Sequence, residues 1–153
     1  MIWANEIMTQ ADAQNRLSKA LESFSRNERK LLESGVREDA LSHRLAIHVA
    51  QQFPGWDIDA EYDKMHVDGM PSAKKYIGID GRERDAIPDI IVHRRQTMDN
   101  FLAIEIKKIG NRRGRDDDFA KLNAYRGQLG YIFAVFVEVG MEKRVPAFRI
   151  QFV

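Results

Sequence analysis

Asp89 and Glu105 stand out among the acidic residues because of what surrounds them: Pro88-Asp89 is followed, after fifteen residues, by Glu105-Ile106-Lys107. Both segments read as strands, Asp89 to His93 and Leu102 to Lys108, and the polar turn around Gln96 to Asn100 predicts an antiparallel hairpin. In a strand Glu105 and Lys107 project from one face, while Ile104 and Ile106 project from the other and can be buried there. If Asp89 opens the neighbouring strand, its carboxylate lies beside that of Glu105. Facing carboxylates repel unless a cation sits between them, and hard oxygen ligands of this kind suit Mg²⁺ or Mn²⁺. Lys107 would then polarise the attacking water or steady negative charge on phosphorus. Phe101 and Ala103 precede the pair on the same face, which predicts partial burial. The other reading of these residues is an exposed cross-strand charge pattern on a solvated sheet.

Lys107, Lys108, Arg112, Arg113 and Arg115 place five basic residues in nine positions directly after this pair. A phosphate backbone entering the site would lie there, and Gly110 and Gly114 would let the loop adapt to a duplex. Arg82, Arg84, Arg94 and Arg95 can extend the patch; a solvated loop balancing Asp116, Asp117 and Asp118 is the alternative. Other chemistries fail on spacing. His43, His48, His66 and His93 form no H-x-H or H-E-x-x-H arrangement for zinc, no glycine-rich phosphate loop follows a strand, and no G-x-S-x-G elbow is present.

The elements that must position these residues follow from hydrophobic period. Leu17, Leu21, Phe24 and Leu31 predict one amphipathic helix from about Ala11 to Ser34, closed by Gly35. A second, from about Arg37 to Phe53, carries Leu41, Leu45 and Val49 on one face and ends at Pro54-Gly55; Glu38, one turn before Leu41, points to the inward side. Trp56, Ile58, Ala60 and Tyr62 alternate with Asp57, Asp59, Glu61 and Asp63 as in a half-buried strand. Lys64 to Ile87 reads as a long loop with Asp68-Gly69 and Asp80-Gly81 turns and room for a short hairpin. Asp116 can cap a helix bearing Phe119, Leu122 and Leu129, closed by Gly130. Tyr131 to Val139 suits a central strand, and Phe148, Ile150 and Phe152 mark a final strand at an edge, since Pro146 cannot donate to a ladder. The sum is an α/β domain on a mixed sheet.

With its Pro88-Asp89 and Glu105-Ile106-Lys107 motifs, the chain resembles the PD-(D/E)XK nuclease superfamily. The resemblance implies a restriction-endonuclease-like core of helix, three antiparallel strands, helix and strand over 37–139. An N-terminal helical extension (1–35) and an edge strand (145–153) would be additions within a single domain spanning 1–153. It further implies a metal site of Asp89, Glu105, the Ile106 carbonyl and Glu38 from the first core helix. Lys121 becomes the polar residue of the following helix that faces the site, with Asp118 and Tyr125 on the same helix face. The implied activity is Mg²⁺-dependent endonucleolytic hydrolysis of DNA by attack of a metal-activated water. The rival readings are a catalytically silent nucleic-acid-binding member of the fold, and an interaction module whose first helix packs on a second copy as a homodimer.

Composition agrees with a folded domain. The 153 residues, 44% hydrophobic and 31% charged, suffice for a sizeable core. A net charge of +1 gives no global field toward nucleic acid or membrane, so an anionic partner must meet a local patch. The absence of cysteine excludes disulfides, thiolate metal sites and a cysteine nucleophile. Met1 to Asn5 lack signal-peptide character, and the longest apolar stretch, Tyr131 to Val137, falls well short of the ~20 residues of a membrane span. These features lead to the expectation of a cytoplasmic protein with no membrane partner.

Overall fold

A computed structural model describes residues 8–62, 64–67 and 70–153, with 64–67 and 70–73 described by their backbone. The chain runs α1 (Gln10–Asn27), α2 (Arg29–Glu33), α3 (Glu38–Gln52), β1 (Asp57–Ala60), β2 (Lys64–Val67), β3 (Met70–Ala73), β4 (Lys75–Ile77) and β5 (Glu83–Asp85). It continues through β6 (Ile90–His93), β7 (Asn100–Lys108), α4 (Arg115–Leu129), β8 (Phe133–Glu142) and β9 (Val145–Phe152). Five strands form one mixed sheet in the order β1-β6-β7-β8-β9. All neighbours in it are antiparallel except β7 and β8, which α4 joins as a parallel pair.

The alternation of strand side chains divides the core into two layers. Leu102, Ile104 and Ile106 of β7 join Ile90, Val92, Val135, Val137 and Val139 against α1 and α3. On the opposite face Ile91, Ala103, Ala134 and Phe136 pack against Leu122, Tyr125 and Leu129 of α4. Helices therefore cover both faces, and Glu105 and Lys107 belong to the α4 side. Phe101 departs from the expected alternation: it joins the α1/α3 layer, beside Trp56 and Phe133, where a register shift between Val92 and His93 bends the ladder. Burial of Glu105 therefore comes from α4.

Other elements also depart from the sequence reading. The expected helix from Ala11 to Ser34 breaks at Glu28, whose φ and ψ of −109° and 25° leave the helical region. The Glu28 carboxylate accepts two bonds from Arg44 of α3, at 2.7 and 3.1 Å, which fix the break. The first strand covers only Asp57–Ala60, is half-buried throughout because it lies at the sheet edge, and stops where Glu61 turns to φ +53°. Two hairpins, β2–β3 and β4–β5, occupy the stretch read as a long loop. The Asp68-Gly69 turn and Asp63 lie outside the described residues. Gly114, not Asp116, caps α4: at φ +63° it opens the helix two residues early, and its carbonyl accepts the Asp118 N–H at 2.9 Å. Gly130 closes α4 in the left-handed conformation as expected, and β9 is an edge strand.

Candidate active site

The β6–β7 register pairs Ile90 with Ile104, so Asp89, one residue before β6, stands across from Glu105 where the ladder ends. Its side chain extends the pairing by one bond: Oδ2 accepts the Ile106 N–H at 2.7 Å. In a strand the N–H and C=O of one residue point to the same edge. The Ile106 carbonyl therefore faces the Asp89 side as well, beyond the last paired residue of β6.

Glu105 is 5% exposed, and its Oε1 accepts the Tyr125 hydroxyl at 3.0 Å. Burial drives the Glu105 carboxyl well above the usual carboxylate range, and the charge of Asp89 adds to the rise; the Lys121 ammonium and the Tyr125 hydroxyl oppose it. Asp89 is also raised, first by burial, against the pull of the Ile106 N–H, with the nearby Asp118 charge raising it further. Two adjacent carboxyls that both resist ionisation meet the electrostatic condition for a cation site.

Lys107 Nζ lies 3.1 Å from Asp118 Oδ2, with the side chains only 15% and 10% exposed. The contact is an ion pair without hydrogen-bond geometry, which leaves Asp118 Oδ2 buried with unused acceptor capacity. Asp118, Lys121 and Tyr125 sit at i, i+3 and i+7 on α4, one stripe of the helix. Through that stripe α4 supplies an acceptor for Lys107, a half-buried cation acting on both carboxyls, and a hydroxyl for Glu105.

The donor set fits a divalent cation. Two carboxylates and an edge-facing carbonyl suit Mg²⁺ or Mn²⁺, which take one or two carboxylates and fill the remaining positions with water. Among the described residues no three acidic or histidine side chains converge as ligands. Glu38, expected as a further ligand, does not join the pair in such a group; its Oε1 instead accepts a hydrogen bond from the Asn111 amide. It lines a shallow depression with Arg37, Asp39, Glu61, Lys108 and Asn111. That depression adjoins the carboxyl pair through Glu61, whose N–H donates to the Asp89 carbonyl at 3.1 Å.

The basic segment is less uniform than its composition suggests. Arg112 and Arg113 are exposed on the turn between β7 and α4. Lys108 donates to the Gly35 carbonyl at 3.2 Å. Arg115, expected to face a phosphate backbone, instead turns into the protein: it pairs with the buried Glu138 at 3.0 Å and stacks 4.9 Å over the Phe136 ring. Arg84, Arg94 and Arg95 are likewise tied to Asp80, Asp99 and Asp59.

Spacing on α4 was enough to put Asp118, Lys121 and Tyr125 on one face. It carried no sign that Asp118 takes the Lys107 charge, since the partners are eleven residues apart on different elements. Nor did sequence foretell Asn111 as the partner of Glu38, or Tyr76 packed edge-on against Tyr125 at 6.0 Å, behind the Glu105 hydrogen bond. No helix among the described residues is long and apolar enough to cross a membrane. Comparison of the chain with protein-family models, with curated proteins and with solved structures finds no match.

Proposed function

We propose that this protein is a divalent-metal-dependent nuclease of the PD-(D/E)XK type that hydrolyses phosphodiester bonds of DNA. The observation that carries the reading is the convergence of Asp89 and Glu105 at the open end of the β6–β7 ladder, with Lys107 on the same strand face as Glu105. The element order lends it support: α3, the antiparallel β1, β6 and β7, then α4 and the parallel β8 come in the order that the resemblance implies for its core, with β2 to β5 inserted after β1.

Asp89, Glu105 and the Ile106 carbonyl would hold Mg²⁺ or Mn²⁺. Bound there, the cation supplies Lewis-acid activation of water and neutralises charge on the scissile phosphate. The chain's own groups do the rest. The Ile106 N–H fixes the Asp89 carboxylate, and Tyr125 fixes that of Glu105. Lys107, held by Asp118, presents an ammonium to the negative charge that grows on the phosphate oxygens. Lys121 keeps a second positive charge beside both carboxyls. Arg112 and Arg113 offer exposed guanidinium groups to the flanking backbone.

Incubation of supercoiled plasmid and of single-stranded oligonucleotide with Mg²⁺, with Mn²⁺ and with EDTA tests the reading. Cleavage that needs metal and disappears in Asp89→Asn and Glu105→Gln is the expected result. Salt-dependent DNA binding without cleavage under any metal would replace it with the catalytically silent member of the fold.

A further inference from the structure

The central sheet guards one of its two edges and leaves the other open. At the guarded edge β1 has four residues, its Asp57 and Asp59 carboxylates accept bonds from Arg95, and the strand ends where Glu61 turns to φ +53°. Short length, charge and a bend are the means by which edge strands escape pairing. β9, at the other edge, has eight residues, and no further strand among the described residues lies beyond it. The Val153 N–H donates to the Ala134 carbonyl at 3.0 Å. Backbone groups alternate along a strand, so Val153, Gln151 and Arg149 turn theirs toward β8. The N–H and C=O groups of Phe148, Ile150 and Phe152 therefore point away from the sheet. Pro146, which has no N–H, faces outward at the start of the strand.

This outward set is complementary to itself. In antiparallel pairing with a second copy, only a two-fold axis through the Ile150 pair joins Phe148, Ile150 and Phe152 with one another. Phe148 then stands opposite Phe152 and Ile150 opposite Ile150, and every outward N–H and C=O of the three finds a partner. Their side chains lie on the α1/α3 face, each partly buried against the core, so apolar meets apolar across the junction. On the other face Arg149 comes opposite Gln151, whose amide oxygen can accept from the guanidinium. Neighbouring registers fare worse. An axis through Arg149 sets like charges directly opposite, and one through Phe148 sets Pro146 against Ile150 and leaves the Ile150 carbonyl without a donor. The first helix has no comparable surface to spare, because its apolar stripe of Ala13, Leu17, Ala20, Leu21 and Phe24 is fully consumed by the core.

We propose that β9 is a self-association surface, through which two copies of this chain pair antiparallel about Ile150 and join their five-stranded sheets into one. The inference stands apart from the nuclease reading and needs no cleavage to be tested. Sedimentation of the full chain from about 1 µM to about 1 mM, where moderate and weak dimers dissociate, should carry wild type from monomer to dimer. Gln151 is exposed, so a charge placed there spares the fold, which melting temperatures verify. Facing Arg149 of the second copy, Gln151→Glu should tighten the dimer about fivefold and Gln151→Lys should weaken it about as much, since each contact occurs twice. Ile150→Pro, which removes an outward donor and no bond to β8, should abolish the dimer. Amide exchange followed residue by residue adds a second readout. At high concentration the amides of Phe148, Ile150 and Phe152 should slow by about tenfold, while those of Arg149 and Gln151 stay slow throughout.

A chain that remains monomeric across the whole range overturns the proposal. So does a dimer that responds equally to Gln151→Glu and Gln151→Lys, or one in which exchange at Ile150 is the same at low and high concentration, because either result places the contact away from β9.

Discussion

Lys107 has two charges to answer to, the carboxylate of Asp118 and that of an incoming phosphate, and its replacement separates them. Lys107→Ala should lower cleavage by about 10²–10³, the scale of one lost transition-state contact, while the rise in melting temperature on adding metal persists. Asp89→Asn should differ in its response to metal. An amide oxygen can still accept the Ile106 N–H, so shape is kept and a repelling charge is gone. Cleavage and metal-induced stabilisation should vanish, and in EDTA at about pH 8 the variant should be equally stable or up to ~1–2 kcal/mol more stable. Glu105 sets a pH dependence with a definite sign. Its folded-state pKa lies well above the ordinary 4.5 of the unfolded chain, so between those values the native state keeps a proton that the unfolded chain has lost. Stability from this group then falls as pH rises through that window. The melting temperature of wild type minus that of Glu105→Gln, followed in EDTA from about pH 4 to about pH 8, should decline steadily. The carboxyl pair was legible in sequence because Asp89 and Glu105 sit at hairpin distance on strands with clear apolar neighbours. Arg115 was not legible, since a basic loop residue reads the same whether it meets a phosphate or, as here, the buried Glu138.

At the level of elements, α4 decides how the site is held. It opens on Gly114 in the left-handed conformation, where an added Cβ would be 3.9 Å from Lys107 Nζ, an ordinary contact. Backbone strain is therefore the main effect of Gly114→Ala, at ~1–2 kcal/mol. That strain shifts the helix start carrying Asp118, so cleavage should fall along with the melting temperature. Gly55→Ala is the control: at φ +84° with open space around it, and remote in sequence from α4, it should lose similar stability and leave cleavage unchanged. Calorimetry and initial rates on the two variants make the comparison. Element type was readable wherever one face was buried over several turns, as with Leu41, Leu45 and Val49 on α3. It failed where a tertiary partner overrode local pattern. Arg44 holds the break at Glu28 from another helix, and two short hairpins fill 64–85 with too few residues each to show a period.

For the molecule as a whole, the small net charge concentrates attention on where charge lies. With Arg115 and Lys108 engaged internally, the segment after β7 offers Arg112 and Arg113 to a phosphate backbone. Replacing both by alanine should weaken DNA binding to a similar degree across sequences and reduce the salt slope by about two, close to one per phosphate contact; fluorescence anisotropy at several salt concentrations measures it. The layered architecture also governs when the site comes into being. β7 pairs with β8 in parallel, Leu102 opposite Phe133, so that ladder closes across the whole of α4. Asp89, Glu105 and Lys107 all precede α4, yet the groups that hold Lys107 and Glu105 lie on it, and α4 packs between the hairpin that bears Tyr76 and a sheet that includes β8. On a ribosome the proposed metal site would thus assemble only after α4 and β8 had both been made. A growing chain would stay inert toward the nucleic acids crowding its birthplace until β8 had emerged and docked.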